Sequence, residues 1–392
     1  MARRAPILTA GTLITILTCA QPAAAISPQS TATNNQAQLA NIVVDQSLNV
    51  VDVSDSTTLT AVATGNTFTG SSIVSNLDVQ TTQSMTGSAS ATGRVNVGSN
   101  SGASTVLSTN TTGNDSESNV LGGAALTGTS TQTVGAVNIL ALGEYNGPNA
   151  QTSNLANNVQ AVANSQTYGL TAATSNVSTT QSSAAITQAD AGLTLGYTEG
   201  TALISAVATS NNITAASAGT SSQTLNLTQS VTGQRTQATV NANAGNAQTI
   251  VGQADAIGNN ISITNTTGPL NVVTNQNNVG YVQAQSVVTS YEFGTAQANA
   301  YGVGNSVMAG NQGQAVTIDN TQVNSGDGVV AQASFGSGAG GYDSASSAIA
   351  MGNAITGYVC STCGGKMTVT NRQTNSADVA ATGVVNVTAA SR

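Results

Sequence analysis

The sequence predicts an all-β chain: a repetitive β-solenoid, or β-helix-like array, of about seven repeats of about 48 residues. Three observations carry that prediction. Two amide anchors keep step along the chain, the residues between them alternate with a period of two, and charge, aromatic rings and proline are scarce throughout.

The first anchor is an asparagine, mostly behind a glycine. It recurs in AVATGNTFTG (Asn66), NTTGNDSESNV (Asn114), AVANSQTYG (Asn164), AVATSNNITA (Asn211), ADAIGNNISI (Asn259), AYGVGNSVMAG (Asn305) and AIAMGNAITG (Asn353), at intervals of 48, 50, 47, 48, 46 and 48. The second is a glutamine at Gln83, Gln132, Gln181, Gln229, Gln276, Gln322 and Gln373, which follows its asparagine by 17, 18, 17, 18, 17, 17 and 20 residues. Biased composition does not hold two anchors in step over seven copies, and a fixed period of this size is the signature of a stacked repeat architecture. Stacked in register, identical Asn and Gln positions are expected to bond amide to amide as ladders, which gives the anchors a structural role.

In chain order, residues 1–25, MARRAPILTAGTLITILTCAQPAAA, have two arginines, an apolar stretch and small residues at Ala23 and Ala25, the three-part pattern of a secretory signal cut after Ala25. Cys19 raises lipidation as an alternative, against which stand the bulky Leu17 and Thr18 before it. Residues 26–35 form a short N-terminal segment, 36–387 the array, and 388–392 a C-terminal tail. An eighth glutamine, Gln36, stands 30 residues before Asn66 and opens the array. No later stretch has the 18 or so apolar residues of a membrane helix.

Within a repeat, GRVNVGS, TLNLTQ, QATVNANAG and VTIDNTQ alternate apolar or β-branched with small polar residues, the signal of half-buried strands. About four short strands fit in each repeat. Gly and Asn between them are expected to supply positive φ for tight turns. The sequence leaves open whether 48 residues make one coil or two of about 24. The last repeat is longer, and the extra length falls at YVCSTCGGK, a loop insertion in which Cys360 and Cys363 are expected to form a local disulfide.

Chemistry is nearly absent. There is no histidine, and 15 acidic against 7 basic residues give a net charge of −8. After the leader only five basic residues remain, none adjoining another, so nucleic acid is not an expected partner. A polysaccharide-active enzyme on a β-helix would need a carboxylate pair, for which only Asp52 with Asp55 and Asp115 with Glu117 are close enough in sequence. Solvated turns explain both pairs. Asp327, in NSGDGV, is a lone partial match to a calcium-binding repeat. No catalytic residue, metal site or cofactor is expected.

Export and richness in Gly, Asn, Gln, Ser and Thr resemble, in a general way, curli-type fibre subunits. Leader and array together are more similar to the holdfast-anchoring protein D family of stalked alphaproteobacteria, whose members share the leader ending QPAAA and a low-charge, histidine-poor β array. That resemblance implies a cell-surface, outer-membrane-associated anchor for a polysaccharide adhesive, the holdfast. It also implies two companions, one curlin-like and one an outer-membrane secretion lipoprotein. Unpaired strands at the array ends suggest self-association as well.

Overall fold

A computed structural model describes residues 29–313, 315–360 and 364–387. The leader, the tail after Val387, and Cys363 lie outside the described residues.

Every coil begins with a ten- or nine-residue strand and returns through longer ones. The first three coils are β1 (Gln29–Gln38), β2 (Ile42–Asp52), β3 (Ser56–Ile73); β4 (Asn76–Met85), β5 (Ala89–Asn100), β6 (Ser104–Leu121); and β7 (Ala125–Val134), β8 (Asn138–Thr152), β9 (Asn154–Thr171). In the next four the second and third strands fuse: β10 (Thr174–Ser183), β11 (Ile186–Ala218); β12 (Ser222–Val231), β13 (Arg235–Asn265); β14 (Leu270–Asn278), β15 (Tyr281–Asn311); and β16 (Ala315–Asn324), β17 (Val329–Val359). A half-coil, β18 (Lys366–Asn375) and β19 (Val379–Val387), follows. The chain is all-β with no α-helix among the described residues, so none is present there to cross a membrane, which says nothing of a β-barrel.

All pairings are parallel and join each strand to its counterpart one coil away. Gln36 pairs with Gln83, Gln83 with Gln132, and Asn211 with both Asn164 and Asn259. One coil therefore takes about 48 residues, not 24. At about 4.8 Å per strand the described array is roughly 38 Å long.

Side-chain burial divides each coil into four stretches. In the fourth coil these are 174–183, 186–197, 202–209 and 211–218, but the last three are one continuous strand, so the expected four short strands per repeat are corrected to three in the first three coils and two in the next four. The second and third stretches face one another across an Ala- and Val-rich core that includes Ala189, Leu193, Ile204 and Ala208. The first and fourth enclose a separate core richer in Leu, Ile and Val, with Val177, Ile213, Leu225 and Leu227. The coil is thus a flattened two-layer loop whose interior is two apolar columns side by side. Alanine on facing strands lets the layers approach closely, which is how the chain fills an interior with three Phe and no Trp.

The inward phase of the returning strand reverses at the anchor. In β9, Leu155, Val159, Ala161 and Ala163 point inward, and then Asn164, Gln166, Tyr168 and Leu170 do. The residue before each asparagine is skipped in the pairing, as between Thr112–Val162 and Asn114–Asn164. Glycine serves this corner by being small. A Cβ on Gly304 would stand 2.5 Å from the Gly352 carbonyl oxygen, and one on Gly113 2.5 Å from that of Ala163. These corner glycines lack positive φ, which corrects the expected role. Positive φ occurs instead at link positions such as Gly122, Gly123 and Gly219, and at Val74 and Ala172, with no asparagine among the described residues.

The N-terminal boundary also differs. β1 starts at Gln29 and pairs with β4 from its first residue, so residues 29–35 belong to the first coil and are not a separate segment.

Candidate functional site

The anchors meet at the waist between the two apolar columns. Asn66 Nδ2 donates to Asn114 Oδ1 at 2.7 Å, and the same bond repeats through Asn164, Asn211, Asn259 and Asn305 to Asn353 at 2.8–2.9 Å. The glutamines form a second file of opposite direction. Gln83 Nε2 donates back to Gln36 Oε1 at 2.9 Å, and each later glutamine donates to the one before it, ending with Gln373 to Gln322.

Each file also ties the two layers together. The second N–H of Asn211 donates to the Ser230 carbonyl, one residue beyond Gln229, and Gln181 donates to the Asn212 carbonyl, one residue beyond Asn211. The same exchange occurs from Gln36 with Thr67 and Asn66 with Ser84 up to Gln322 with Ala354 and Asn353 with Thr374. In the central coils these amides are wholly buried. Their donors are all used, so the polar waist carries little of the penalty of unsatisfied buried groups. Nearby, Tyr168 OH meets Thr179 Oγ1 at 2.7 Å, and burial pushes its phenol up to about 12, so it remains a neutral link between fourth and first stretches.

The outer surface is polar and shallowly grooved. Where the second stretch bends into the third, a groove of about 440 Å³ crosses several coils and is lined by Thr194, Asn243, Thr289, Tyr291 and Ser337, among others. Tyr197, Tyr291 and Tyr342 stand exposed along this bend, Tyr342 almost fully. Sequence reasoning missed this edge. Its signal is a tyrosine with an acid one or two places on, in GYTEG, SYEFG and GYDSA. A ring with one apolar face and a wet hydroxyl suits a ligand that is itself amphipathic.

The acidic pairs lead elsewhere. Asp115 and Glu117 lie half-buried on the outer face of β6, where burial chiefly raises the Asp115 carboxyl, a Ser165 hydrogen bond opposes it, and Glu117 adds to it. Glu117 accepts from Asn119 at 2.6 Å. Neither lines the groove described above. Asp52 ends β2 opposite Asn100, and the Asp55 carbonyl accepts from Ser104 N at the next coil. Asp327 sits exposed in the link before β17. Among the described residues no three His, Cys, Asp or Glu side chains are grouped to hold a metal. Cys360 is disulfide-bonded at the end of β17, and its N–H donates to the Asn311 carbonyl, while Cys363 lies outside the described residues.

Two surfaces are open among the described residues. The inner faces of β18 and β19 have no described layer opposite them on one side, leaving Met367, Val369, Val379, Val385 and Val387 about two-fifths exposed. β1 is likewise an edge among the described residues.

Comparison with curated proteins and with solved structures gives no match. The family model for holdfast attachment protein D matches residues 51–328, from the end of β2 to the start of β17 and more than two thirds of the chain. By that match, which lies wholly within the coils, the chain belongs to the holdfast attachment protein D family.

Proposed function

We propose that the chain is a non-enzymatic surface anchor that holds an exported polysaccharide adhesive, the holdfast, to the outer membrane. The observation that carries this reading is the family match across the coiled residues 51–328. The array of about seven repeats acts as a rigid core braced by the Asn66–Asn353 and Gln83–Gln373 files, and the polar outside provides the contacts. Each hydroxyl or amide contact with a sugar is weak, and their repetition at one coil spacing makes the attachment multivalent. The bend that carries Tyr197, Tyr291 and Tyr342 is a part of that surface suited to sugar rings. A leader cut after Ala25 delivers the chain to the surface, and a local Cys360–Cys363 bond pins the insertion before β18. The curlin-like and lipoprotein companions implied by the resemblance hold it at the membrane, and the open ends allow self-association.

The test is fractionation of cells from which the chain is deleted. An anchor leaves the adhesive made but shed into the medium. Adhesive absent from both cells and medium sinks the reading. A second reading, a secreted fibre or surface-layer subunit with no holdfast role, is favoured by the open strand edges, and it requires the adhesive to stay on the deleted cells.

A further inference from the structure

The two ends of the array match each other. β1 and β18 are each ten residues long and carry their anchor, Gln36 or Gln373, at the eighth place. A three-residue link follows in both, and then a strand beginning at Ile42 or Val379. One shift of 337 positions therefore lays Lys366 on Gln29, Gln373 on Gln36 and Val379 on Ile42 with no bulge.

The glutamine file gives this match a direction. Each glutamine donates towards the N-terminal end, so the C-terminal end presents the Gln373 Oε1 acceptor and the N-terminal end the Gln36 Nε2 donor. Asn320 donates to Asn371, which turns Asn371 Nδ2 towards the open side, where register would place Asn34. Two C-terminal ends facing one another would oppose acceptor to acceptor and could not continue parallel pairing.

The two ends also differ in the sign of their net charge: residues 29–73 hold Asp45, Asp52 and Asp55 and no cation, and 366–387 hold Lys366 and Arg372 against Asp378, although Asp45 is paired with Arg94 and Arg372 with Asp319 within the copy. The exposed inward row Met367, Val369, Val379, Val385 and Val387 would meet Ser30, Ala32, Ile42, Leu48 and Val50 in the adjoining strands.

We propose that copies of the chain stack head to tail, β18–β19 of one copy on β1–β2 of the next, with Gln373 in register with Gln36. This specifies the end pairing of the anchor reading and rests on that reading. Such contacts are heterologous and do not close, so they build an open filament. The layer of first and second stretches continues unbroken across the junction. The facing layer has one strand fewer and skips a place there, leaving a slot about 9.6 Å across between its flanking strands. A junction is therefore weaker than an internal coil contact.

The test is a paired substitution in the purified chain, Thr33→Cys with Thr370→Cys. These positions lie at opposite ends of one copy and become neighbours about 4.8 Å apart only across the proposed junction, within disulfide range. Oxidation is expected to give a ladder of covalent multimers extending past dimer. The displaced pair Thr33→Cys with Thr368→Cys is expected to remain mostly monomeric. Monomer only from the first pair, or equal ladders from both, overturns the proposal. A circular-dichroism spectrum matching the wild type shows that each variant is folded. Because the readout is cross-linking alone, its failure leaves the anchor reading to be judged separately by adhesive shedding.

Discussion

At the scale of single residues, the account rests on amides that each serve three partners. Asn211→Ala would strip the acceptor from Asn164 Nδ2, the donor from Asn259 Oδ1 and the donor from the Ser230 carbonyl. With each orphaned buried group costing about 1–3 kcal/mol, the loss should be about 3 kcal/mol or more. Asn353→Ala, at the end of the file and half-buried, should cost about 1 kcal/mol, and denaturant melts compare the two. Carboxylates give a second prediction. Burial is the main cause raising the Asp190 and Asp255 carboxyls, with hydrogen bonds from Gln188 and Gln253 opposing it. A folded value above the unfolded one contributes stability fully below the unfolded pKa and loses it as pH rises through the folded pKa. Asp190→Asn and Asp255→Asn should therefore raise Tm at about pH 7 and change it less at about pH 4. The anchors were legible in the sequence because identical residues recur at one spacing. The opposite polarity of the two files was not, since a sequence does not record which way a side-chain amide turns.

At the scale of the coil, the corner before each asparagine decides the shape. Period two marked the strands correctly, but it could not show that the phase reverses at Asn164, because the reversal turns on one unpaired residue, Ala163. The glycine of the Gly-Asn phrase was legible as a turn signal and its reason was not. It is needed because the next coil's carbonyl lies close above it, as Gly352 O does at Gly304. Gly304→Val should thus destabilise by about 1–3 kcal/mol through overpacking. Ala163→Gly, where a Cβ is already accommodated, should change stability by about 1 kcal/mol or less. Urea midpoints for the two variants decide between a steric corner and a purely conformational one. The tyrosine edge escaped because three phrases at irregular intervals are faint beside seven anchors.

At the scale of the whole molecule, a stack of near-equal coils has a stability that adds by neighbour contacts, so its length can be changed without changing its fold. Removing residues 164–258 joins Ala163 to Asn259 and should leave a folded rod two coils shorter, with the asparagine file passing directly from Asn114 to Asn259. Repeat period and class were legible in the sequence. The division into two apolar columns and the single surplus half-coil were not, because both depend on which stretches face each other across the interior. The central claim is that attachment is spread over the side of the array. Its most direct measurement is the shear force that detaches cells carrying chains shortened in register by one, two and three coils. The account predicts a stepwise fall in that force with each coil removed. Attachment unchanged by those deletions, yet abolished by one substitution such as Asp115→Asn, would contradict it.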